Sequence, residues 1–120
     1  MKITIMFYHS VEDVQSFTSV NWAQVASKSG LLKDSENLIW VNAEYGADVA
    51  NQFVGIRVLI DGNEVSMSHT QTLAGQYVSF SPFGLYVATE GVHTISLEVR
   101  ALNAGVTVNV RRIRLAIMQE

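Results

Sequence analysis

The chain has 120 residues, enough for one domain that removes roughly two-thirds of its unfolded surface from water and too few for a second independent core. Hydrophobic residues make up 48% and charged residues only 16%, below the typical quarter, so the exterior either relies on Ser, Thr, Asn and Gln or is partly hidden against copies of the same chain. A net charge of −3 gives no electrostatic case for binding nucleic acid or an anionic membrane, and the absence of cysteine excludes disulfides, thiolate metal sites and cysteine nucleophiles.

In "KITIMFYH" the alternation places Ile3, Ile5 and Phe7 on one face and Thr4, Met6 and Tyr8 on the other, both largely apolar. Residues 1–15 are therefore expected as an N-terminal arm or edge strand that reaches cover on two sides, with Ile3, Ile5 and Phe7 as contacts to a neighbouring subunit. "SFTSVNWAQVAS" alternates without a clean apolar stripe and is read as one strand, and "NLIWVNAEY" as another, rich in β-branched and aromatic residues. "GADVANQ" follows as a loop or single helical turn.

"VGIRVLID" puts Val54, Ile56, Val58 and Ile60 on one face, and "DGNE" then predicts a tight hairpin returning through Val65 and Met67. Pro82, the only proline, belongs at a strand end or edge because it cannot donate to a ladder. Tyr77, Phe80, Phe83 and Tyr86 are expected to gather around it. From His93, the positions Ile95, Leu97 and Val99 share a face; "LNAG" turns the chain; Val106, Val108 and Val110 alternate until the apolar set jumps to Ile113, Leu115 and Ile117. That slip predicts either a β-bulge near Arg111 and Arg112 or a strand covered on opposite faces along its two halves. No stretch holds a helical apolar period over a dozen residues. The expected fold is all-β: one antiparallel sandwich of about eight strands over residues 1–120, with jelly-roll winding leading an immunoglobulin-like Greek key.

Chemistry is sparse. His9, His69 and His93 have no partner at metal-ligand spacing, "DGNE" lacks the spaced acids of a calcium loop, and there is no nucleophile elbow or phosphate-cradling loop. Asp34, Glu36, Asp48 and Asp61 are read as solvated loop carboxylates. No catalytic residue, metal or cofactor is expected. His93 is expected at a strand's first rung, partly buried and hydrogen-bonded to a neighbouring loop, with no acid–base partner evident. Arg112 and Arg114, within the one basic cluster "RRIR", are assigned to a strand face or subunit contact rather than a phosphate site. Trp40, between Ile39 and Val41, is assigned to the core; Tyr77 and Tyr86 are the aromatics best placed to stack on a sugar.

From "RVLIDGNEV" through "FGLYVATEGVHTISLEVRALNAGVTVNVRRIRLAIM", a little over half of the chain resembles the small jelly-roll modules of tailed-bacteriophage virions, in which a strand entered through G-x-H-T and a final strand after a Gly turn recur. The resemblance implies a non-enzymatic virion component, commonly a homotrimer. The lack of a repetitive shaft places a capsid-decoration (cement) subunit, partnered by itself and by the major capsid protein or other virion proteins, ahead of a tail-fibre module. The alternative is a carbohydrate- or receptor-binding module using Tyr77 and Tyr86 on a glycan. The start of the chain lacks a signal-peptide apolar region and no segment is long enough to span a membrane, so synthesis in the host cytoplasm without export is expected, and the resemblance implies residence in the virion.

Overall fold

A computed structural model describes residues 4–119, apart from the side chain of Phe7. It contains ten antiparallel strands among the described residues: β1 (Thr4–Val11), β2 (Gln15–Phe17), β3 (Ala23–Leu32), β4 (Ser35–Ala47), β5 (Phe53–Ile60), β6 (Asn63–Gln71), β7 (Val78–Phe80), β8 (Phe83–Ala88), β9 (Gly91–Ala101) and β10 (Val108–Gln119). One sheet runs β1-β10-β4-β7, with β2 continuing β1 along β10 and β8 continuing β7 along β4; the other runs β3-β9-β5-β6. With each broken pair counted as one strand, eight remain. First pairs with last, second with seventh, third with sixth and fourth with fifth, which is the winding of a jelly roll.

The core lies between the sheets. Ile39, Val41, Ala43 and Tyr45 on β4 and Ile113, Leu115 and Ile117 on β10 face Val54, Ile56 and Val58 on β5 and Ile95, Leu97 and Val99 on β9; all are buried. These are the inward rows that period-two alternation selects. The bulge predicted from the parity slip in β10 is present: the register against β4 shifts between Arg111 and Arg114, and Arg112 sits at φ 51°. Asp61 (φ 52°) and Gly62 (φ 82°) make the β5–β6 turn with the left-handed backbone that "DGNE" tolerates.

Several expectations are corrected. "SFTSVNWAQVAS" is not one strand: β2 ends at Phe17, residues 18–22 form a loop, and β3 begins at Ala23 and runs through the polar Lys28 and Ser29 because β9 pairs along it from Val99 to Gly91. Trp40 is not in the core; it is half-buried on the outer face. The aromatics around Pro82 do not gather. Phe80 enters the core against Tyr45, with ring centroids 6.3 Å apart, whereas Phe83 points to solvent. Val78, next to Tyr77, pairs with Tyr45, and Tyr86 pairs with Asn37, so the two tyrosines stand about eight β4 residues, roughly 26 Å, apart.

The two edges of the sandwich differ. On one side β1 lies against β3; on the other β8 and β6 stand apart and leave a cleft.

Candidate functional surface

Directly opposite residues in an antiparallel sheet point to the same face, so strand register defines the outer surface of the six-stranded sheet rung by rung. One rung reads Tyr8–Ala116–Trp40–Phe83 and the next Ile5–Met118–Leu38–Leu85, each crossing β1, β10, β4 and β8; Val87 extends the apolar row on β8 beside Glu36. Ile5, Phe83, Leu85 and Val87 are 60–69% exposed and Tyr8 46%. Ala116 is buried because Tyr8 and Trp40 flank it. This grouping departs from the expected one. A register shift between Ile5 and Phe7 breaks the alternation of β1, which brings Ile5 and Tyr8 onto the same outer face and packs Met6 against the core. Phe7 pairs through its backbone with Ile117, and Ile3 lies outside the described residues.

Toward the other end the same face turns polar. Arg114 opposes Asn42, and Arg111 opposes Glu44. The bulge lets consecutive arginines converge on one carboxylate: Arg111 Nε donates to Glu44 Oε1 at 2.8 Å and Arg112 Nη1 to Glu44 Oε2 at 3.1 Å. The Arg111 hydrogen bond outweighs desolvation and, with Arg112, holds the Glu44 carboxyl below its ordinary pKa. Arg114 is paired with Glu12 and also donates to the Arg112 carbonyl. Arg112 and Arg114 are therefore both engaged within the chain. The Arg111 guanidinium lies 3.8 Å from the Tyr77 ring centroid, at one wall of a polar groove of about 420 Å³ that Gln76 and Ser79 also line.

Tyr86 is engaged within the chain. Its ring packs edge-on to His93 (6.1 Å), and its hydroxyl donates to Asp61 Oδ2 at 3.3 Å. His93 is 8% exposed, on the first rungs of β9 as expected, but the sequence did not reveal its partner: Nδ1 is 2.5 Å from Asp61 Oδ2 and Nε2 is 2.6 Å from the Thr89 carbonyl. A carbonyl oxygen only accepts, so Nε2 carries a proton; where Asp61 is ionised its carboxylate also only accepts, and the geometry favours the doubly protonated ring. The Asp61 hydrogen bond, then the Thr89 carbonyl, raise the His93 pKa. Burial works to raise the Asp61 pKa, but the Thr94 N–H and His93 together bring it below its usual value. The pair clamps the β5–β6 turn, through Asp61, to the β8–β9 turn, through the Thr89 carbonyl.

On the outer face of the four-stranded sheet, the guanidinium groups of Arg57 and Arg100 each lie 4.5 Å from the Trp22 ring centroid, with the His69 ring at 6.0 Å. Burial and then the Arg100 charge lower the His69 pKa. Trp22 thus pins the 18–22 loop to the sheet, assisted by the bond from Ala101 N–H to the Ser19 carbonyl. Asp48 and Asp61 both accept backbone N–H groups, from Thr107 and Thr94, as turn-closing residues. No group of three His, Asp or Glu side chains converges to hold a metal among the described residues.

No protein-family model matches the chain, and no curated protein matches it. Solved structures do. A chain of infectious bursal disease virus, Gx strain, superposes with a TM-score of 0.69 at 11% identity, and one from infectious bursal virus-derived T=1 particles with 0.70 at 12%; these cover 99% and 98% of this chain. This chain spans about a third (32%) of each of those viral chains. The C-terminal domain of EclA, a sugar-binding protein, superposes with a TM-score of 0.56 at 16% identity over 87% of this chain and 77% of that one. At these identities the likeness is one of fold.

Proposed function

We propose that the chain is a non-enzymatic virion component, a capsid-decoration subunit that associates with itself as a homotrimer and with the major capsid protein, and that acts by being held in a shell. The observation that carries this reading is the pair of four-strand apolar rungs on the outer face. Five exposed apolar side chains of on the order of 100 Å² each make a patch near the upper end of what a monomer leaves uncovered, even before Leu38, Trp40 and Met118 are added. The polar half of the same face, with its paired arginines, gives the rim that such contacts have. The fold shared with chains of virus particles agrees with this reading. Sedimentation equilibrium on the full chain should give three times the 13.3 kDa chain mass at micromolar concentration. A monomer throughout that range overturns the reading.

A second reading, a carbohydrate-binding module, is favoured by one observation: Tyr77 borders a polar groove with the planar hydrogen-bonding groups of Glu44, Arg112 and Gln76 around it. If it holds, glycan-array binding is lost on Tyr77→Ala and retained on Tyr86→Phe. Absence of glycan binding by the parent chain removes it.

A further inference from the structure

The open edge of the sandwich carries a socket. Between β6 and β8 lies a cleft of about 260 Å³ floored by the core residues Ile39 and Val58 and walled by Ser66 and Gly84, with Phe83 and Leu85 at its mouth. It exists because the residues that face inward here are small. Ser66 opposes Val58 across β6 and β5, and Gly84 opposes Ile39 across β8 and β4; a Cβ built on Gly84 would meet nothing within 4 Å. Among the described residues, none that lines the cleft is ionisable. An apolar void of about 150 Å³ is enough to take a benzene ring, so this one has room for a phenyl side chain.

We propose that this cleft receives an apolar side chain, Phe83, from a second copy of the chain. Three observations select that occupant. Phe83 is 64% exposed and stands at the mouth of its own molecule's cleft. Around the threefold axis of a homotrimer each copy can offer its Phe83 to the next copy's cleft and receive one from the copy before it, so the same contact repeats and the ring closes. The contact is continuous with the apolar rungs through Phe83 and Leu85; the exposed rung side chains supply on the order of 500 Å² of the roughly 800 Å² per partner that a standard interface needs, and the cleft walls Val65, Ser66 and Pro82 add to it. An aromatic anchor seated in a desolvated pocket is also the kind of group that dominates interface energetics. The inference rests on the self-association proposed above and specifies its central contact.

Two variants and one cross-link test it. Gly84→Leu fills the socket at a position with no steric neighbour, and Phe83→Ser removes the projection from an exposed site; each is expected to weaken self-association at least tenfold while leaving the midpoint of thermal unfolding of the dissociated chain within a few degrees. Because the chain has no cysteine, Phe83→Cys and Ser66→Cys can be introduced separately. On mixing and mild oxidation, the disulfide should join one variant to the other, identified by unequal mass tags. If the folded Gly84→Leu and Phe83→Ser chains associate as tightly as the parent, the socket is not the contact, although the assembly reading stands. If the parent itself does not associate, both fall together.

Discussion

Gly46→Ala should lower the midpoint of thermal unfolding by on the order of 10 °C, the largest effect expected of any single-methyl addition in this molecule. Gly46 lies in the outer row of β4, directly beneath residues 72–77, which cross that face between β6 and β7. A Cβ at this position would stand 1.9 Å from the Gln76 carbonyl oxygen and 3.0 Å from its carbonyl carbon. The clash is with backbone, so no rotamer relieves it. The loop would have to lift, and it is tied down by Gly75 N–H to the Ala47 carbonyl at 3.1 Å and by Ala47 N–H to Thr72 Oγ1 at 3.0 Å. Overpacking costs typically about 1–3 kcal/mol, and a backbone obstruction in a central strand belongs at the top of that range. Gly84→Ala, with nothing near its added methyl, is the control and should leave stability within about 0.5 kcal/mol. Circular dichroism melts of the two variants decide the matter; a Gly46→Ala midpoint equal to that of the control would mean that the loop does not rest on the sheet. The same lifted loop would carry Tyr77 away from Arg111, so the polar groove should open as stability falls.

The second large effect is at the His93–Asp61 clamp, and its signature is pH dependence. The folded-state pKa of His93 lies above the unfolded value, so its contribution is complete below about pH 6.5 and is lost as pH rises through the raised folded value. Asp61 is shifted the other way: its contribution is complete above about pH 4 and is lost as pH falls through its depressed folded value. The ion pair is therefore fully present between those limits. Asp61→Asn preserves a residue that tolerates the φ of 52° and retains an acceptor for Thr94 N–H, while removing the charge. It should cost about 2 kcal/mol at pH 6, the value of a charged hydrogen bond, and distinctly less at pH 9. Urea denaturation of parent and variant at the two pH values measures this, and a difference that is constant with pH would show that His93 is not cationic in the folded chain.

Much of the architecture was legible because the determining signals are local. The inward apolar rows of β5 and β9 recur at every second residue, "DGNE" has the residues that positive φ requires, and the slip from Val110 to Ile113 is itself the bulge written in sequence. The second half of β3 was missed because Lys28, Ser29 and Gly30 carry no strand pattern of their own; that segment is extended only through its hydrogen bonds to β9. Trp40 was misplaced for a related reason. Both faces of β4 are apolar at that end, and alternation cannot say which of two greasy rows meets the core. The apolar rungs were out of reach altogether, since each joins residues from four strands far apart in the chain and depends on a bulge in β1 that its apolar residues conceal. The Asp61–His93 pair, 32 positions apart, is likewise a product of register and not of spacing.

The placing of β9 and β10 at the middle of their sheets has a temporal consequence. Among the described residues, β1 and β2 pair only with β10, and β3 pairs in its sheet only with β9, so during synthesis the first third of the polypeptide waits for the last third before it can form a ladder. Such non-local closure belongs to the slow, millisecond-to-second class of folding reactions. For that interval the nascent chain holds its apolar segments unpaired, which makes the ribosome-bound state, more than the finished sandwich, the stage at which this sequence is most exposed to mispairing with its own kind.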